Sequence, residues 1–288
     1  MERPSLETPD GYRGLALRTP TLPPAAHTNC YIVGWRDALI IDPGSPYPEE
    51  QALLGQTLTE MRGAGATFAA VLLTHHHPDH IGGALAAADL LGLPIVGHPY
   101  TLSQPALLDL SPRGGIEAID EGQLIVDGER KIDLLRTPGH ARGHFCLFES
   151  AGGVLIGGDM VPGIGTTMID PAQDGDMTDY LAELRRLAAL DPQVILPSHG
   201  PLIRPGRAAI EHLVAHRLQR EEKIFATLVA GDRDLLAITR EAYDDVPPTV
   251  WPLARRSALA HLHKLEADGR VIRTSPDGQA CWRRSPSA

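Results

Sequence analysis

The order of apolar segments predicts an α/β domain over residues 1–205 followed by a small winged-helix-like domain over 206–288. Three observations carry this reading. Before residue 206, short β-like segments alternate with helix-like ones, the pattern of a layered α/β domain. Residues 201–206 (PLIRPG) form a linker bounded by Pro and Gly. Three helix-like stretches and then a hairpin follow it, which is the order of a winged helix. The charge balance changes at the same place: residues 1–205 hold 13 Lys and Arg against 25 Asp and Glu, and residues 206–288 hold 13 against 11.

In chain order, Cys30–Gly34 (CYIVG) and Ala38–Ile41 (ALII) are short strands joined by a turn at Trp35–Asp37. Asp42-Pro-Gly-Ser then breaks the chain. Glu49–Met61 is a helix with Leu53, Leu54, Leu58 and Met61 near one face. Phe68–Thr74 (FAAVLLT) is apolar almost throughout and reads as a buried strand. Ile81–Leu91 is a small apolar helix. Strands follow at 94–96, 124–126, 132–136, 144–148, 154–156 and 194–196, with a helix over Thr178–Leu190 that Thr178 caps. Beyond the linker, Ala208–Val229, Leu235–Tyr243 and Pro252–Ala267 are helices, and Gly269 stops the last of them. Val271–Thr274 and Ala280–Arg283, joined by Ser-Pro-Asp-Gly, make the hairpin.

Composition excludes several classes. With 43% hydrophobic and 22% charged residues over 288 positions, the chain is neither disordered nor fibrous. No apolar run approaches the roughly 18 residues of a membrane span. The first residues, MERPSLETPDGYRG, do not read as a secretory signal, and three scattered cysteines (Cys30, Cys146, Cys281) make no disulfide framework. A cytoplasmic protein without a membrane partner is the expectation. A net charge of -10 argues against a basic nucleic-acid coat. Histidine stands out: nine of the 13 fall before residue 206.

Residues 74–83 read Thr-His-His-His-Pro-Asp-His-Ile-Gly-Gly, between a buried strand and a helix. His75 and His77, two apart in extended chain, point to one side. Pro78 forces the turn, and Asp79 and His80 fall at the helix start. Four ligand-type side chains thus converge within six residues, and imidazole with carboxylate suits Zn²⁺. His140, Asp159 and His199 each lie just past a strand end, where a sheet presents a site at one edge.

This set resembles the metallo-β-lactamase superfamily, whose pattern is His-x-His-x-Asp-His followed by His, Asp and His. The resemblance implies an αββα sandwich with a dinuclear metal site between the sheets. It assigns His75, His77 and His140 to one metal, Asp79, His80 and His199 to the other, and Asp159 to both. Within the superfamily, Thr28-Asn29-Cys30-Tyr31, residues 137–144 (TPGHARGH), Gly158-Asp159 with Gly165-Thr166-Thr167, and His216-Arg217 with Arg220-Glu221 look like the lactamase-β-like branch. That branch includes a mitochondrial endoribonuclease and carries a C-terminal winged-helix domain. The residues around 141–143 depart from its pattern.

Two divalent metals, with Zn²⁺ favoured and Mn²⁺ or Fe acceptable to such donors, can share a hydroxide and clamp a phosphoryl or carbonyl group. Asp79 is the residue expected to orient that hydroxide. His144 is expected at the pocket rim as a donor to the substrate, or behind a ligand as its orienter. Asn29 and Thr166 are candidate substrate contacts, or local turn residues. Cleavage of single-stranded RNA is the first functional expectation, from the branch resemblance and the positive balance of the tail. A thioester hydrolase of the glyoxalase type, or another ester hydrolase, is the alternative. A winged-helix DNA binder is a third reading, with Arg255, Arg256, His261, His263 and Lys264 on the third helix. β-Lactam hydrolysis ranks low without an export signal. The C-terminal domain would wall the cleft, touch substrate or mediate a homodimer.

Overall fold

Two mixed sheets and a smaller antiparallel one organise the chain, which a computed structural model describes over residues 4–275 and 278–286. The first sheet is formed in sequence order by β1 (Tyr12–Arg18), β2 (His27–Val33), β3 (Ala38–Ile41), β4 (Phe68–Leu72), β5 (Ile95–Gly97) and β6 (Ile116–Ala118). β1 to β3 pair antiparallel and β3 to β6 parallel. The parallel connections carry α1 (Pro48–Gly63), the short α2 (Pro78–Ile81), α3 (Ala84–Leu91), α4 (Pro99–Leu102) and α5 (Pro105–Leu108). The second sheet has β7 (Gly122–Val126), β8 (Arg130–Arg136), β9 (Phe145–Glu149), β10 (Val154–Gly158) and β11 (Val194–Pro197). It is antiparallel except for the β10–β11 pair.

The continuous apolar runs of β3 and β4 are explained by burial on both faces. Ala38, Ile40 and Val71 pack with Leu54, Leu58, Ala84 and Ala88 of α1 and α3. Leu39, Ile41 and Leu72 face the second sheet and pack with Ile132, Leu134, Leu147 and Ile156. The first sheet is therefore sandwiched between helices and the second sheet, and its residues alternate with the period of two that a strand imposes.

The remaining elements are α6 (Met177–Ala189), α7 (Gly206–Thr227), β12 (Arg233–Asp234), α8 (Leu235–Ala242), α9 (Trp251–Ala267), β13 (Val271–Thr274) and β14 (Cys281–Arg284). β14 pairs with β12 on one side and β13 on the other. Ile224, Leu228, Ile238, Ala258, Leu262, Leu265 and Trp282 form their core. The chain divides into two compact units. One holds residues up to 137 with 142–167 and 187–209, and the other holds 138–141, 168–186 and the chain from 210.

Several sequence expectations need adjustment. The helix expected over Ile81–Leu91 is two helices, α2 and α3, because Gly82 and Gly83 lie against the Pro43–Ser45 backbone. Gly83 N donates to Pro43 O at 2.7 Å. The cap of α6 is Asp176, whose Oδ1 accepts from the N–H of Thr178 and Asp179 at 2.7 and 3.0 Å, so Thr178 is not the cap. β1, β6 and β12 escaped the sequence reading. β6 is exposed along its whole length and has no apolar signature to find. The last strand starts at Cys281, one residue later than expected. Of the hairpin turn Ser275–Gly278, Pro276 and Asp277 lie outside the described residues. No helix among the described residues is long and apolar enough to cross a membrane. The three cysteines are buried and form no disulfide.

Candidate metal centre

The parallel pairing of β3 and β4 brings their C-terminal ends side by side, with Asp42 N donating to Leu72 O at 3.1 Å. Asp42 has φ +49°, a left-handed conformation that Asp tolerates. It turns a buried carboxylate back onto the residues after β4. Oδ1 accepts from Thr74 N (2.8 Å), and Oδ2 accepts from Thr74 Oγ1 (2.6 Å) and His80 Nδ1 (2.8 Å). Thr74 Oγ1 in turn lies 3.0 Å from His75 Nδ1, so one carboxylate orients two histidines. Sequence reading treated Asp42 only as a chain break. Its one visible signal was its place just past a strand on the edge that carries the histidines.

The chain turns at Pro78 into α2 and presents Asp79 and His80. His75 Nε2 lies 2.9 Å from His77 Nδ1. His199, just past β11, donates from Nδ1 to His27 O at 2.9 Å, which fixes its tautomer. Its Nε2 lies 3.5 Å from Asp79 Oδ2 and 3.3 Å from Asp159 Oδ1. The same Asp159 oxygen faces His80 Nε2 at 3.4 Å. The ligand atoms of His75, His80 and Asp159 lie within 4.8 Å of one another, and so, as a separate group, do those of Asp79, His80 and His199. His140 belongs to the second compact unit, where its Nδ1 donates to Met168 O at 3.0 Å.

His80 Nε2 tests whether a cation fits. It is wholly buried and makes no hydrogen bond, a cost that proteins rarely accept. Its other nitrogen is committed to Asp42, so the lone pair of Nε2 faces the Asp159 carboxylate. A divalent cation resolves this arrangement, and the all-N/O donor set suits Zn²⁺, Mn²⁺ or Fe. The electrostatics agree. Burial alone would push the Asp159 carboxyl up, yet His199 and His80 hold it well below the usual range. Burial would push His80 and His199 down, yet Asp159, with Asp42 and Asp79 beside His80, raises both. The carboxylates thus favour positive charge at these rings.

The metallo-beta-lactamase superfamily profile matches residues 23–199. The chain belongs to this superfamily. It is a metallo-hydrolase with a His/Asp metal-binding cluster, and a beta-lactamase-associated winged-helix domain matches residues 235–282. A Drosophila melanogaster beta-lactamase-like protein 2 homolog is 27% identical over 253 residues, covering 85% of this chain and 84% of that protein. An Emericella nidulans atrochrysone carboxyl ACP thioesterase is 32% identical over 260 residues, covering 88% and 79%. A beta-lactamase domain protein from Burkholderia ambifaria has the same fold, with a TM-score of 0.81 at 22% identity over 97% of this chain and 93% of that one.

In this superfamily member, three residues expected near substrate occupy distinct places. His144 is buried. Its Nε2 accepts from Asp159 N–H (3.1 Å) and its Nδ1 lies 2.8 Å from Thr137 Oγ1, which donates to Cys146 Sγ at 3.4 Å. His144 thus holds the backbone N–H of Asp159. Asn29 is also buried. Its Nδ2 reaches Pro197 O (2.8 Å) and Gly200 O (2.9 Å), bracketing the loop that carries His199. Thr166 is exposed, and its neighbour Thr167 donates to Asp159 O at 2.8 Å. Thr137 and Thr167 lie in segments that carry the branch resemblance, but the sequence assigns neither a site role.

Gly44 gives a direct test of packing at the site. A Cβ there would overlap the carbonyl of Asp79. Gly44→Ala is expected to displace Asp79 and α2, lowering metal content and hydrolysis together while far-ultraviolet circular dichroism stays unchanged. Wild-type metal content in the variant would show that Asp79 does not depend on this contact.

Proposed function

We propose that this chain is a two-metal hydrolase of acyl thioesters, acting in the cytoplasm. On the superfamily's assignment, His75, His77 and His140 would hold one cation and Asp79, His80 and His199 the other, with Asp159 as a further carboxylate donor. The observation that carries the metal assignment is the buried His80 Nε2, aimed at Asp159 and left without a hydrogen bond. When bound, two such cations polarise the scissile carbonyl and make a water molecule nucleophilic at neutral pH. The protein's part is orientation. Asp42 holds His80 with its proton on Nδ1, and His27 O does the same for His199. Asp79 offers a carboxylate oxygen to take the proton of the attacking water. Water and thioester give carboxylate, thiol and a proton.

The substrate class is supported by similarity to the fungal ACP thioesterase and by charge. Polyanions need a basic track, and the chain carries -10. Several basic residues of the second compact unit, Arg256 and Lys264 of α9 among them, are paired inside that unit. Arg220 pairs with Asp245, Arg233 with Glu241, Arg256 with Asp170, Lys264 with Glu221 and Arg270 with Glu222. His261, on the helix considered for groove reading, is wholly buried.

The deciding experiment gives metal-loaded protein an acyl thioester of N-acetylcysteamine and, in parallel, labelled single-stranded RNA, each beside Asp79→Ala. Thiol release that Asp79→Ala abolishes, with RNA left intact, is the expected result. RNA cleavage that Asp79→Ala abolishes, with no thiol release, would replace the thioesterase reading by a phosphodiesterase one.

A further inference from the structure

We propose that Arg256, on α9, is a positioning residue for the metal ligand His140 and acts through Asp170. The inference rests on the two-metal reading above. Every residue involved belongs to the second compact unit.

His140 Nδ1 donates to the carbonyl of Met168, which puts the proton on Nδ1 and leaves the Nε2 lone pair for a cation. The residue before it is held as well. Gly139 O accepts from Asp176 N–H at 2.8 Å. Gly139 has φ +127°, and a Cβ there would overlap the backbone of Tyr180, so only glycine fits. The two ends of the 168–176 loop therefore grip the His140 segment, one through Met168 O and the other through Asp176 N.

That loop is built on Asp170. Its carbonyl accepts from Gln173 N and Gly175 N, both at 2.9 Å, and its Oδ1 accepts from Ala172 N at 3.0 Å. Its remaining oxygen, Oδ2, meets Arg256 Nη1 at 3.1 Å. Asp170 is buried, so its charge needs that partner to stay where it is. The path runs from Arg256 to Asp170, two residues along to Met168 O, and onto His140 Nδ1. A second brace lies nearby, since the Arg217 guanidinium of α7 sits 5.4 Å over the ring of Tyr180. On this view a basic residue of the third helix orders His140 within its own unit.

The test is Arg256→Met, which keeps the aliphatic stem of a half-exposed side chain and removes the guanidinium. Metal-free protein is titrated with Zn²⁺ against a chromophoric chelator, which resolves the two equivalents. One equivalent is expected to bind about 10-fold more weakly and the other as in wild type. Arg256→Lys should recover part of the loss. Asp170→Asn should reproduce it from the other end of the pair. Arg255→Met, at an exposed neighbour on the same helix, should bind as wild type. Melting of the metal-free variants separates a local effect from general destabilisation. Wild-type affinity for both equivalents in Arg256→Met and Asp170→Asn would overturn the proposal. So would equal weakening of both with a matching fall in the metal-free melting temperature. A wild-type chain that binds two equivalents but cleaves no thioester sinks the substrate reading and leaves this inference standing. A wild-type chain that binds only one equivalent sinks both.

Discussion

Replacing Asp159 by Asn is expected to cost about 10³-fold in kcat/KM and one metal equivalent. The side chain sits between His80 and His199, with one oxygen 3.4 and 3.3 Å from their Nε2 atoms. Asn keeps this shape. The backbone stays anchored too, because Asp159 N donates to His144 and Asp159 O accepts from Thr167. What the variant loses is the negative charge that makes a cation favourable between two imidazoles. Polarisation by a metal is worth several kcal/mol at the transition state, and each 1.36 kcal/mol is tenfold in rate, which gives ~10³. Metal analysis of the purified variant and its rate of thiol release are the two readouts. Two bound equivalents and a rate within tenfold of wild type would show that Asp159 is not a ligand.

The second large effect belongs to Asp42, which is buried and hydrogen-bonded to His80. In Asp42→Asn one amide oxygen can still accept from Thr74, but the amide nitrogen then meets His80 Nδ1 in place of Oδ2. Two donors cannot share that contact. His80 is forced to carry its proton on Nε2, the nitrogen aimed at the site, and can no longer offer a lone pair there. Metal affinity should fall by roughly 10- to 100-fold, with little change in the melting temperature of the metal-free protein. Asp42→Ala should behave differently. It leaves Thr74 N–H and Thr74 Oγ1 buried without their acceptor, at about 1–3 kcal/mol each, and the metal-free protein should melt lower. Isothermal metal titration with thermal unfolding of both variants checks the pair. Wild-type affinity in Asp42→Asn would mean that the tautomer of His80 is set elsewhere.

The sequence by itself determined which donors exist and roughly where. His75, His77, Asp79 and His80 fall within six residues, and their grouping follows from strand spacing and one proline. Asp159 and His199 were legible because each directly follows a β-like run, and parallel strands end on a common edge. The two sheets were largely legible for the same reason, since β3, β4 and β10 are apolar on both faces.

Tertiary structure alone decided how those donors are held. Asp42 reaches His80 across 38 positions, Asn29 reaches Pro197 across 168 and His27 reaches His199 across 172. No local pattern encodes a hydrogen bond over that distance. His and Asn can serve a pocket or a scaffold equally well, and the partners of His144 and Asn29 in this chain are supplied only by the fold. The basic residues of the tail raise the same point. Sequence counts charges, but whether Arg256 meets solvent, a phosphate or Asp170 depends on which element the fold lays beside it. The grouping of His75, His77, Asp79 and His80 is a property of short-range spacing and so survives in the sequence. Ligand orientation and charge neutralisation come from long-range contacts, and these exist only once the chain has folded.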